Sequence, residues 1–295
     1  MNDQPESPLV RFAKEYGWRA YAIPVLLVIT LWIIVDVVRG QGVPEEQPQH
    51  AGAQTSASSM NVESKDSRGS GPIPADSAPI NLPTGALPDG GPYTARGDKT
   101  FRVVGAPGPK VGEGKEKQIT YVVEVENGVD TAAYGGDQAV AAMIDATLSN
   151  PKGWIADKAF SFQHVRADEN PTMRIQLTSV ETTHEVCGAD LAMETSCYTA
   201  DGNRVVLNES RWVRGAVTSQ GDIGGYRQYL INHEVGHGLG YAEHAACPKS
   251  GELAPIMMQQ TLSLDNSVLH GIDPKEIYPD DHNACTFNPW PFPRS

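Results

Sequence analysis

Hydrophobic positions along this chain fall into three regimes. Residues 21–38 (YAIPVLLVITLWIIVDVV) form an almost unbroken apolar run of 18 residues, near the minimum for a membrane-spanning helix. From 39 to 98 bulky apolar residues become sparse and Pro, Gly, Ser, Ala and acids dominate. Such a composition cannot bury enough surface to offset the entropy of ordering, so it reads as a disordered linker. From 99 onward the pattern becomes short and periodic. Residues 101–104 and 119–125 are enriched in β-branched residues with partial alternation and predict strands, and 160–165, 173–177 and 205–207 look like further strands. Residues 137–149 place Val140, Met143, Ile144 and Leu148 at helical spacing and stop at Asn150-Pro151. A second helix is predicted from about Tyr226, with Ile231, Val235 and Leu239 as an apolar stripe. These elements predict an α+β domain over 99–295, preceded by a cytoplasmic tail (1–20), a transmembrane helix (21–38) and the linker (39–98).

That second helix carries the chemistry. It contains His233-Glu234-Val235-Gly236-His237-Gly238-Leu239-Gly240, the pattern H-E-x-x-H-x-x-G. Residues four apart lie one turn above each other, so His233 and His237 can aim at one metal ion with Glu234 beside them. A carboxylate there suits a general base acting on metal-activated water. The histidines point roughly opposite the stripe of Ile231, Val235 and Leu239, so packing on that face does not account for them. Gly240 is the residue type that ends a helix in a left-handed conformation and turns the chain back.

The third ligand is ambiguous. The extended metzincin pattern wants histidine at the eleventh position. That position is Glu243 here, and a histidine follows at His244. Either could complete a zinc site, and His244 is preferred because imidazole is the commoner zinc ligand. Downstream, Met257 or Met258 could form a methionine turn beneath the metal, although paired methionines are more often core filler.

The segment from Tyr229 to Thr261 resembles an actinobacterial family of membrane-anchored, metzincin-like proteins catalogued as a domain of unknown function. Further likeness lies in Arg204-Val205-Val206-Leu207-Asn208, in Arg211-Trp212-Val213-Arg214-Gly215-Ala216 and in Cys285-Thr286-Phe287-Asn288-Pro289-Trp290-Pro291. The resemblance implies Zn2+, peptidase-like chemistry and a sheet-plus-metal-helix fold. It also implies a histidine three residues before a cysteine, matched by His244 and Cys247, and marks residues 263–283 as an insertion. It supplies no substrate.

Topology and charge fill in the setting. Arg11, Lys14 and Arg19 precede the apolar run and only Arg39 closely follows it, which places the N-terminus in the cytoplasm and the domain outside. A cleaved signal peptide is the competing reading, and Val37-Val38-Arg39-Gly40-Gln41 is a poor cleavage site for it. The linker could carry the domain into or beyond the inner cell-wall layers. All four cysteines, Cys187, Cys197, Cys247 and Cys285, lie on the outer side, where disulfides persist. Of three possible pairings, Cys187–Cys197 and Cys247–Cys285 are favoured. The net charge of −13 argues against nucleic-acid partners.

The remaining histidines draw no metal role: His184 reads as structural in a loop, and His164, His270 and His282 as surface or loop residues. The sequon Asn208-Glu209-Ser210 reads as coincidental. The expectation is a membrane-anchored zinc metallopeptidase acting on peptides or proteins, with Glu234 as general base. The alternatives are an inactive, zinc-stabilised surface scaffold and a hydrolase of non-peptide amides.

Overall fold

In the computed structural model the described residues are 82–188 and 195–295, with Val28 and Thr30–Trp32 from the apolar run. Those four are helical, and the rest of the 21–38 span, the tail before it and the linker up to 81 lie outside the described residues. Among the described residues, no helix is long and apolar enough to cross a membrane.

Seven strands form one mixed sheet: β1 (Phe101–Val104), β2 (Val111–Gly112), β3 (Lys117–Glu126), β4 (Phe160–His164), β5 (Met173–Thr178), β6 (Cys197–Thr199) and β7 (Arg204–Asn208). The order is β2-β4-β3-β5-β7-β6, with β1 beside the second half of β3. The strands β4, β3, β5 and β7 run parallel, while β1, β2 and β6 are antiparallel to their neighbours. Parallel neighbours need crossovers, and helix α1 (Gly136–Leu148) supplies the one from β3 to β4. The class is therefore mixed α/β, its twist the ordinary one of such sheets, with a parallel centre that a segregated α+β arrangement does not include.

Strand alternation decides what each face buries. Tyr121, Val123 and Val125 of β3, Ile175 and Leu177 of β5, and Val205 and Leu207 of β7 join one apolar cluster. The same cluster takes in Val140, Ile144 and Leu148 of α1, and Tyr226, Leu230, Ile231 and Val235 of α4 (Ile223–Leu239). Both helices thus cover one face. The alternate positions include Glu124 and Gln176, whose side chains pair at 2.8 Å.

The helix of residues 137–149 forms one residue earlier than the periodicity predicts, and its apolar positions are buried except Met143, which is partly so. Two helices upstream of α4 escape the periodicity. One, α2 (Val180–Cys187), occupies a stretch read as a loop, and it places His184 on a helix. The other, α3 (Glu209–Arg214), is short and almost entirely buried. Residues 82–98, compositionally part of the linker, are packed onto these two helices. The buried Arg211 guanidinium donates to the carbonyls of Gly85 and Ala86. Thr94 N–H donates to Glu209 at 2.6 Å, and Val180 N–H donates to the Thr94 carbonyl at 3.2 Å. Buried charged side chains reward any backbone that satisfies them, so a Pro- and Gly-rich segment without regular secondary structure is ordered with little apolar payload.

Both disulfides form as favoured, Cys187–Cys197 and Cys247–Cys285. The first joins the end of α2 to β6; the second closes the C-terminal segment, which includes helix α5 (Asn266–Ile272). His164 is not a surface residue. It is 4% exposed on β4, with Nδ1 2.9 Å from Asp145 and its ring stacked on Tyr121. His270 lies on α5 with Nδ1 3.0 Å from the Tyr278 carbonyl, whereas His282 is exposed. Asn208 is fully buried, accepting hydrogen bonds from Ser210, so its sequon is inaccessible in the folded domain.

Candidate metal centre

The helix α4 is buried on both sides, which its single apolar stripe does not foretell. Ile231, Val235 and Leu239 face the core, and His233 and Glu234 are only 2% and 5% exposed. The C-terminal segment covers the second side: Tyr229 donates to the Met258 carbonyl at 2.9 Å, and Asn232 donates to the Pro289 carbonyl at 2.9 Å.

Glycines let α4 sit this close. A Cβ at Gly236 would come within 2.5 Å of the Met257 sulfur and 2.8 Å of Trp154, and one at Gly238 within 2.6 Å of Met173. Asp222 caps the N-terminus of the helix through the Gly225 N–H at 2.8 Å. Gly240 ends it with φ 110°, the left-handed conformation its position demands, and Tyr241 N–H returns to the Gly236 carbonyl. Lys117 adds a donor to the Leu239 carbonyl, with its charge at the negative end of the helix.

His233, His237 and His244 converge, with one ligand atom from each lying within 4.8 Å of the other two. Each ring has a partner at Nδ1. His233 Nδ1 lies 2.8 Å from the Ile256 carbonyl and His237 Nδ1 2.8 Å from the Tyr241 carbonyl. His244 Nδ1 lies 3.2 Å from the Glu276 carboxylate. Acceptors at all three Nδ1 atoms place the proton there and leave each Nε2 as the nitrogen able to ligate, the outer-shell pattern of metal-ligating histidines. Glu243 is exposed and outside this cluster. The donor set fits zinc, which takes three imidazoles and keeps a fourth position open.

The electrostatics agree with neutral ligands. Burial pushes the His233 pKa down to about 3, and the neighbouring His237 adds to it. His237 is lowered by the same causes, burial first and then His244. Burial pushes the Glu234 carboxyl up to about 8, and a divalent cation alongside would draw it back towards the charged form.

Residues 255–258 turn beneath the helix, closed by Met258 N–H to the Pro255 carbonyl at 3.0 Å. Met257 is the methionine beside Gly236, while Met258 belongs to a second apolar cluster with Cys247, Leu269, Tyr278 and Cys285. A groove of about 370 Å³ opens over the histidines. Its walls are Ser196, Cys197 and Tyr198 at the sheet edge, Ala242, and Gln259 after the methionine turn, with Glu234 inside. Sequence reasoning missed Gln259, Glu276 and Tyr198. Glu276 stands in the very stretch read as an insertion, and no local spacing links it to His244.

Residues 87–293 match the family described as protein of unknown function (DUF3152), and the chain belongs to it. No curated protein and no solved structure matches the chain.

Proposed function

We propose that the domain is a metzincin-like zinc metallopeptidase, held outside the cell by the apolar run at 21–38. The observation that carries this reading is the convergence of three imidazoles, each ring engaged at Nδ1, beside a buried carboxyl in an open groove. His233, His237 and His244 would hold the ion. Bound there, zinc would supply Lewis acidity and an activated water near neutral pH. Glu234 takes the proton from the attacking water and hands it to the leaving amine nitrogen. Burial supports that role, since a carboxyl shielded from bulk water exchanges its proton with the reacting atoms. The groove runs beside β6, an edge strand whose outer backbone groups can pair with an extended peptide. The two disulfides suit an oxidising compartment outside the membrane.

Glu243 bears on the scaffold alternative. A closed site would need a fourth protein donor, and Glu243 stands exposed outside the cluster. The test is cleavage of a peptide library by the zinc-loaded protein, with and without a chelator. Glu234→Gln should retain zinc and lose about 10²–10⁴-fold in turnover. A variant that binds zinc and cleaves as the parent does removes Glu234 from the mechanism.

A further inference from the structure

We propose that Gln259 is the donor that engages the carbonyl or oxyanion of a ligand bound at the three-histidine centre, a role that rests on the metallopeptidase reading above. Two adjacent glutamines follow the methionine turn and are used in opposite ways. Gln260 is fully buried, and both ends of its carboxamide serve the fold. Its Nε2 donates to the carbonyls of Pro255 and Asn288 at 3.2 and 2.9 Å, and its Oε1 accepts from Asn288 N–H at 2.9 Å. Gln259 is partly exposed and reaches the groove, where its Nε2 lies 3.1 Å from His244 Nε2.

The direction of that hydrogen bond follows from the other side of the ring. Glu276 accepts at Nδ1, so Nδ1 carries the proton and Nε2 accepts from the Gln259 amide. The backbone beneath the amide is fixed: Gln259 N–H donates to the Tyr278 hydroxyl at 2.9 Å, and its carbonyl accepts from Leu262 N–H at 3.0 Å. A rigid stem therefore presents a two-donor group within one hydrogen bond of the metal-facing nitrogen, in the groove that Glu234 lines. His244 does not need Gln259 to aim it, because Glu276 already holds the ring. A cation that takes the His244 lone pair leaves the amide donors facing the oxygen of the ligand beside it. Preorganised donors at such an oxygen are the arrangement that stabilises developing negative charge.

The probe is acetohydroxamate, a small oxyanion chelator, titrated into the zinc-loaded full-length protein and its Gln259→Leu and Gln259→Met variants. Zinc affinity is measured separately by chelator competition. Hydroxamate affinity should fall roughly 10- to 100-fold in both variants, the worth of a hydrogen bond to a charged group, with zinc affinity preserved. Gln259→Met keeps length, neutrality and packing while removing the donors, so a purely structural Gln259 predicts parental hydroxamate binding there and overturns the proposal. Zinc affinity falling by about 10- to 100-fold, in step with hydroxamate affinity, would make Gln259 a support for His244 and overturn it equally. Binding and turnover separate the two readings. A parent chain that binds hydroxamate through Gln259 but cleaves no peptide upholds this proposal and removes the peptidase.

Discussion

At the scale of single residues, the site is defined as much by what holds the histidines as by the histidines. The Glu276 carboxylate lies 3.2 Å from His244 Nδ1, which fixes the proton there and leaves Nε2 as the nitrogen able to ligate. Glu276→Ala should weaken zinc binding about 10- to 100-fold, the usual cost of losing an outer-shell partner, while leaving the unfolding midpoint of the chelated protein within error. Equal zinc affinity in competition titrations would show that the ring is aimed by packing alone. Glu234 makes an opposite demand. Its carboxyl is raised from 4.5 to about 8 by burial. A raised folded-state pKa means that the stability it confers is full below the unfolded value and is lost as pH climbs towards the folded one. In chelator, the parent should therefore lose stability between pH 5 and 8 relative to Glu234→Gln, which cannot ionise, while the lowered His233 and His237 act alike in both proteins. The gap at pH 7 is about 3 kcal/mol. Urea midpoints of parent and variant that shift in parallel across that range would contradict it.

At the scale of elements, α4 is a helix pressed between a sheet and a C-terminal cover, and its glycines report the pressure. Gly236→Ala would drive a methyl group into Met257 and Trp154, and overpacking of this kind costs about 1–3 kcal/mol. Gly224→Ala, at the second residue of the helix with only Asp222 nearby at 3.6 Å, should instead gain up to about 0.5 kcal/mol. Thermal unfolding of the two variants checks the contrast, and like-signed shifts would refute the packing argument. The same helix shows what a sequence can disclose. His233, Glu234 and His237 were legible because helical spacing is local, and His244 because it follows the glycine bend closely. Strands β1, β3 and β7 were legible from their β-branched residues, and β4 and β5 from apolar residues alternating with polar ones. Helix α2 was not, since Val180–Cys187 is mostly polar with two buried threonines. Its one local clue is Ser179, which caps the helix through Thr182 N–H. Gln259 and Glu276 lie 15 and 32 residues from His244 along the chain. Their meeting depends on the path of the C-terminal segment, which no periodicity encodes.

At the scale of the whole domain, the centre is assembled from two parts with separate covalent ties. The helix supplies two imidazoles and the carboxyl. The loop closed by Cys247–Cys285 supplies the Ile256 carbonyl, Met257, Gln259 and Glu276, and it begins three residues after His244. The Cys187–Cys197 bond instead anchors β6, which walls the groove but contributes no group to the histidine cluster. Loop-closure entropy alone makes the 38-residue tie worth about 4 kcal/mol and the 10-residue tie about 3, so stability barely distinguishes them. Function should. Replacing Cys247 and Cys285 by serine frees the segment that orients His233 and His244, and zinc affinity should drop together with stability. Replacing Cys187 and Cys197 frees only a wall, so zinc affinity should hold while KM for a cleaved peptide rises. Chelator competition beside steady-state kinetics on both double variants decides the point. Equal losses of zinc affinity would mean that the sheet edge and the cover form one cooperative unit around the metal helix, and that the site is not divided between them.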